Sequence, residues 1–459
     1  MTALSRFVLG GVNVNTRCCQ RLLNAFLNKT PLQSVCCYKK IHHSSNKLTS
    51  SKYPHNMSSS IWTSSTSSGK IQIKEDIGRC SAAASDDGDF LHILWDDGSM
   101  TRYPYLWIRD NCGCSQCFNK DMNQRLFSYK TFNADVKLVD VQNESPGAIA
   151  LRGTDDHITT LNFAWLRDKG AELLEGKPDI HLTKVHWGAD IISILPVFQY
   201  DEVISDYATM YEWMKSIKIF GIGRINGAPK ESGELMNIAK RIAHVRKTLF
   251  GDISIIKARS DAFFIGYTPI ELPLHTDYTF GKTVPGVLLL HSIERPQSGG
   301  ENWFADGFKA AHDLREIDEN AFNLLCRGIL EYEIDGTSQE KDVHLKGQFP
   351  TISLNSTGEV EMVSYSDHTR TASIKNISTE GIPAFYRALK TFAGLLYSPK
   401  NLMVLPLEEG DMLATDNFRI LHGRAGFTLG KNTGRHVEHI FFDIEDFDSR
   451  MRCIANKMT

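Results

Sequence analysis

The sequence predicts an α+β protein in two parts, a small, mostly β domain followed by a larger domain in which helices and strands mix. Residues 71–188 are written in short strand-like runs broken by turn residues, as where Phe90-Leu91-His92-Ile93-Leu94-Trp95 meets Asp96-Asp97-Gly98. From about Ile191 onward apolar residues recur at helical spacing, with Leu235, Ile238, Ile242 and Val245 on one face of a helix expected over residues 232–249. Apolar strands stand between such helices. The expected organisation is therefore a leader over residues 1–70, a small β domain over 71–188 and the larger domain over 189–459.

The leader has its own chemistry. Glu75 is the first acidic residue of the chain, and Arg6, Arg17, Arg21, Lys29, Lys39 and Lys40 precede it among many Ser, Thr and Asn. Leu22, Leu23, Phe26 and Leu27 supply an apolar helix face. This is the make-up of a mitochondrial transit peptide, drawn inward by the membrane potential, and it points to the matrix. The Ser-rich stretch 58–68 fits a disordered basic tail equally well, which leaves the cytoplasm as the alternative.

In the larger domain, helices are expected over residues 201–218, 232–249, 306–326 and 379–398, the last with Phe385, Leu389, Phe392 and Leu396 on one stripe. Strands are expected over 219–223, 287–293, 402–405, 411–415 and 435–442. With 459 residues, 42% hydrophobic and 23% charged, the chain can bury an ample core without disulfides. A net charge of −3 offers no global attraction to nucleic acid, and no apolar run reaches the roughly 18 residues of a membrane span. The ten cysteines are clustered rather than evenly spaced, which suits a reducing compartment.

Two constellations point to metals. His275-Thr276-Asp277 is an i, i+2 pair that an extended chain turns to one side, and His422 lies 147 residues on. Two imidazoles and one carboxylate on one face hold ferrous iron and leave three positions open. His436-Val437-Glu438 competes as a pair of the same form. The second constellation is Cys112-x-Cys114-x-x-Cys117, three thiolates within reach of one ion.

The wider context decides between the two His-x-acid pairs. Leu106-Trp107-Ile108-Arg109-Asp110-Asn111-Cys112, Leu274-His275-Thr276-Asp277-Tyr278, Pro285-Gly286-Val287 and Gly299-Gly300 before Asp306-Gly307-Phe308 occur in order. Thr415-Asp416-Asn417-Phe418-Arg419, Leu421-His422-Gly423-Arg424 and Gly434-Arg435-His436 follow. In these blocks, from about Leu91 to about Arg452, the sequence resembles the gamma-butyrobetaine and trimethyllysine dioxygenases of the taurine dioxygenase-like group.

The resemblance implies a double-stranded β-helix (jelly roll) catalytic domain with flanking helices, with His275, Asp277 and His422 as the catalytic iron(II) ligands. It implies Arg435 as the partner of the distal carboxylate of 2-oxoglutarate, since guanidinium meets carboxylate in a planar, bidentate fork. Asn302 stands where relatives place a Ser or Thr against the same carboxylate, and its amide can still donate. Alternation from an inward Arg435 turns Val437, His439 and Phe441 inward and His436 and Glu438 outward. His157 matches the fourth ligand of a closed Cys3His structural zinc site. The implied reaction couples decarboxylation of 2-oxoglutarate by O2 to hydroxylation of a C–H bond, with ascorbate as reductant and a homodimer as the assembly.

Substrates of the family carry a trimethylammonium group in an aromatic cage. Tyr267 matches a cage tyrosine, while Phe250, Ser254 and Phe441 stand where relatives have Tyr or Trp. Phe264 and Ser366 replace residues that read the substrate's other end, and His439 replaces a small residue. Gamma-butyrobetaine, leading to carnitine, is the first expectation; trimethyllysine or another cationic metabolite is the second. A catalytically silent metal-binding homologue is the reading of a different class.

Overall fold

A computed structural model describes residues 80–145, 147–175, 182–258, 262, 264–338, 341–430 and 434–458; the leader expected over residues 1–70 lies outside them. The described chain forms two compact units, one within Cys36–His181 and one within Leu182–Thr459.

The smaller unit contains two three-stranded antiparallel sheets. Ser81–Ala84, Phe90–Leu94 and Met100–Pro104 form one, and Leu138–Ser145, Ala148–Gly153 and Ile158–Asn162 the other. Period-two patterning explains which face goes in: Leu91 and Ile93 are wholly buried while His92 between them is not. They pack with Tyr103, Tyr105, Ile108, Ile149, Leu151 and Leu166. The turn expected at Asp96-Asp97-Gly98 forms, with Gly98 at φ +80°, a conformation glycine adopts without steric cost.

Two sheets dominate the larger unit. The major sheet has the order Ser254–Lys257, His436–Phe442, Val287–Glu294, Met412–Asp416, Ile222–Asn226, Val197–Gln199, antiparallel throughout except for the last pair. Its central strand Met412–Asp416 is buried at every position, so its sequence lacks alternation. The minor sheet has the order Leu272–His275, Ile420–Arg424, Asn302–Asp306, Met403–Leu405. Among the described residues these two sheets are separate hydrogen-bonded sets, not one closed barrel. Helices Gly307–Ile317, Glu319–Arg327 and Ile382–Leu396 share one apolar cluster with Leu274, Leu288, Leu290 and Phe441. No helix of the described residues is long and apolar enough to cross a membrane.

Several helices are shorter than the periodicity suggests, each for a local reason. The one expected over 201–218 is two, Tyr200–Ser205 and Tyr207–Phe220, because extended Asp206 caps the second by accepting from the Ala208 and Thr209 amides. That second helix also takes the first two residues of the strand expected at 219–223; Gly221, at φ +75°, ends it, and the strand starts at Ile222. Asp318 divides the helix expected over 306–326 in the same way, capping Glu319–Arg327 through the Ala321 amide. The helix expected over 232–249 is confined to Leu235–Ile242, so Val245 lies beyond it. The stripe Phe385, Leu389, Phe392 and Leu396 is buried as expected. A long hairpin, Ile329–Ser338 with Lys341–Pro350, was not anticipated, although buried Leu330, Tyr332 and Ile334 alternate with Glu331, Glu333 and Asp335.

One buried ion pair ties these elements together. Arg419 and Asp306, both side chains fully buried, meet in a fork of 3.1 and 2.7 Å. Arg419 also donates to the carbonyls of Ile219 and Val185. Asp306 accepts from the Phe308, Lys309 and Trp187 amides, capping helix Gly307–Ile317 and fixing the 185–187 segment. Arg419→Ala leaves that carboxylate buried beside fewer donors, and a loss of about 3–5 kcal/mol is expected in denaturant unfolding. A loss below 1 kcal/mol would show that the pair is replaceable by water.

Candidate active site and metal centres

Strand pairing sets the first two groups of the site. Leu272–His275 runs antiparallel to Ile420–Arg424 with His275 directly opposite His422, which brings the imidazole centroids to 4.4 Å. Gly423 allows this pairing: a Cβ there would come within 2.7 Å of the Leu272 carbonyl. The strand does not continue to Asp277, which sits in the following turn. Thr276 is held by the Tyr365 backbone in both directions, and the Asp277 amide donates to Asn417 Oδ1 at 2.8 Å. Asn417 Nδ2 returns bonds to the carbonyls of Asp277 and Pro285. Tyr278, at φ +65°, turns the chain away in a conformation that costs a non-glycine residue energy and is held here by its surroundings.

The ligand atoms converge. Asp277 Oδ1 lies 3.4 Å from His275 Nε2, and Oδ2 lies 3.5 Å from His422 Nε2. All three groups fall within 4.8 Å of one another, inside the reach of one ion. The His275 Nδ1–H donates to the Pro273 carbonyl at 2.9 Å, since a carbonyl only accepts, and this fixes the ring with Nε2 toward Asp277. Burial pushes His422 down to about 3 against the pull of Asp277, keeping it neutral. Two imidazoles and one carboxylate form the donor set that suits ferrous iron.

These three groups line one cavity, whose wall draws on both sheets. Arg435 and Asn302 line it too. Burial pushes Arg435 down to about 9, Arg424 beside it adding to the effect, and no carboxylate among the described residues pairs with it. A guanidinium buried in this way is a seat for an anion. Arg424, by contrast, is spent on the carbonyls of Gly266, Thr268 and Ile270, and so anchors the turn that carries Tyr267.

The other sequence-derived residues meet in the same cavity. Phe250, Phe264 and Tyr267 lie with ring centroids 6.0 to 6.4 Å apart. Phe441 and His439 pack edge to face at 5.0 Å. Val437, His439 and Phe441 line the cavity, whereas the competing pair does not: Glu438 accepts from Ser232, the Gly233 amide and His436. Ser366 is instead bonded within its own loop, to Thr369 and His368.

Three residues of the site escaped sequence reasoning. Tyr278 joins the rings, 5.8 Å from Phe441, and its hydroxyl accepts from the Leu249 amide. His368 stands 4.9 Å from His275 and 5.5 Å from Phe264, pushed down to about 3 by burial and by His275. Asn417 is the third. Tyr278 and Asn417 sat in the matched blocks, which was a usable signal; nothing local marks His368.

In the smaller unit the Sγ atoms of Cys112, Cys114 and Cys117 lie 3.2, 3.6 and 3.6 Å from His157 Nε2. A tetrahedral ion held at about 2.1 Å by nitrogen and 2.3 Å by sulfur sets such atoms roughly 3.5 Å apart, so the cluster fits a closed metal site. Arg109 links Cys117 Sγ to Asp155, and Asp155 accepts from the His157 amide.

Residues 179–441 match the Taurine catabolism dioxygenase TauD, TfdA family, and residues 83–167 match the Gamma-butyrobetaine hydroxylase-like, N-terminal family. The Gamma-butyrobetaine dioxygenase of Homo sapiens is 27% identical over 381 residues, covering 82% of this chain and 97% of that one. The protein of the same name from Pseudomonas sp. (strain AK-1) is 28% identical over 374 residues, 81% of this chain and 95% of that one. Trimethyllysine dioxygenase, mitochondrial, of Gallus gallus is 24% identical over 344 residues, 74% of this chain and 81% of that one. With the two-histidine, one-carboxylate triad in place, the chain belongs to the TauD, TfdA family of 2-oxoglutarate and iron(II) dioxygenases.

Proposed function

We propose that this dioxygenase hydroxylates a trimethylammonium-bearing metabolite, gamma-butyrobetaine first, to give carnitine. The carrying observation is a single cavity that holds the triad, an unpaired buried arginine and a cluster of rings. His275, Asp277 and His422 hold the iron, which supplies O2 activation coupled to decarboxylation of 2-oxoglutarate. Arg435, with Asn302 beside it, orients the cosubstrate by its distal carboxylate. Asn417 keeps the Asp277 backbone in place. Phe250, Phe264, Tyr267 and Phe441 hold the cation by its attraction to ring faces and exclude water from the reacting carbon. The major and minor sheets are read as the two halves of a double-stranded β-helix around this cavity.

Zinc in the Cys112, Cys114, Cys117 and His157 site serves the fold of the smaller unit, having no open position for substrate. The acid-free basic segment, together with the word mitochondrial in the names of trimethyllysine dioxygenase relatives, supports import into the matrix. Trimethyllysine is the second substrate reading, on the strength of those same relatives.

His275→Ala, Asp277→Ala or His422→Ala is expected to abolish substrate-dependent succinate formation while leaving the melting transition within a few degrees, since each removes one of only three protein ligands. Arg435→Ala is expected to raise the 2-oxoglutarate requirement at least tenfold, and an unchanged requirement would remove its role. For the smaller unit, elemental analysis of the purified protein is expected to find zinc, and Cys114→Ser to lose it and lower stability more than it alters iron content. Tyr267→Ala is expected to weaken gamma-butyrobetaine about three- to thirtyfold, and more than an uncharged carbon isostere. Equal losses for the two ligands would leave Tyr267 a shaping residue only.

A further inference from the structure

The ring-lined wall of the cavity has one polar break. Ser254 and His439 face each other directly across the antiparallel pair Ser254–Lys257 and His436–Phe442, and both line the cavity. His439 is 9% exposed, and its Nε2 is shut off from water with no hydrogen-bond partner among the described residues. A buried nitrogen left unbonded is a standing cost to the fold unless a ligand completes it. No carboxylate forms an ion pair with this ring among the described residues. A neutral imidazole has one nitrogen that carries a lone pair and accepts.

A quaternary ammonium cannot use that lone pair, since it has no N–H and presents only methyl groups. A tertiary ammonium can. It carries the same charge and two methyls for the ring faces of Phe250, Phe264, Tyr267 and Phe441. Its one N–H needs an acceptor once water is excluded. Phenylalanine offers none.

We propose that His439 is a specificity residue that accepts a hydrogen bond from a protonated tertiary amine, so that the site takes dimethylammonium carboxylates in preference to their trimethylammonium counterparts. The inference rests on the cationic-substrate reading above and revises its first choice, placing a dimethylammonium carboxylate ahead of gamma-butyrobetaine.

The test compares 4-(dimethylamino)butanoate with gamma-butyrobetaine. Binding is followed by anaerobic calorimetry on the iron- and 2-oxoglutarate-loaded protein, and turnover by succinate release. Wild type is expected to favour the dimethyl compound roughly tenfold, the low end of what a hydrogen bond to a charged group supplies. His439→Phe keeps a ring in the wall and removes the acceptor, and is expected to bring the two compounds within about twofold through loss of dimethyl binding alone. His439→Ala is expected to flatten the ratio as well, and it serves should the phenylalanine be too bulky to fold. A wild-type preference for gamma-butyrobetaine, or a ratio unchanged in a folded variant, overturns the role of His439 and leaves the cationic-substrate reading standing. If neither compound binds wild type, that reading fails and the inference falls with it.

Discussion

The site depends on one cross-strand pairing, His275 against His422 in the minor sheet. Side chains directly opposite on antiparallel strands share a face, so this register alone brings two imidazoles together from positions far apart in the chain. A slip of one residue would turn His422 to the other face and leave no metal site. Gly423 permits the approach and Arg424, next along, anchors the 266–270 turn, so three consecutive residues serve metal, register and ring wall.

The carboxylate is positioned differently. Asp277 lies past the end of its strand, where no ladder fixes the backbone, and the Asn417 side chain supplies the missing bonds. Asn417 belongs to the same turn as Arg419, whose buried fork with Asp306 ties that turn to the minor sheet and to helix Gly307–Ile317. The metal carboxylate thus inherits its rigidity from an ion pair that itself touches no ligand. Every nitrogen of the Arg419 guanidinium and both oxygens of Asp306 have a hydrogen-bond partner, the condition under which a buried charge pair holds a geometry instead of destabilising it.

Chemistry in the cavity is divided by side chain type. Imidazoles and a carboxylate face the metal position, two buried guanidinium groups, Arg424 and Arg435, line the cavity, and rings and aliphatic side chains make most of the remaining wall. The polar break at Ser254 and His439 is the departure from that division. It sits on the edge strand of the major sheet and its neighbour, on the opposite sheet from His275 and His422.

By itself the sequence determined the α+β class and the two metal constellations, written in the spacing of their residues, and the inward phase of Val437, His439 and Phe441, which strand alternation converts directly into geometry. The matched blocks added Arg435, and the family resemblance they carry added His157 as the fourth ligand of the cysteine site. Helix ends were less legible: Asp206 and Asp318 cut two expected helices because a capping carboxylate competes with helical periodicity, which counts apolar residues and ignores caps. Only the tertiary structure decided that His368 lies against His275, that Tyr278 joins the rings, and that the Nε2 of His439 is left without a partner. Those facts depend on loops and strands distant in sequence meeting around one cavity, and no local pattern encodes such a meeting because it is set by packing of the whole fold.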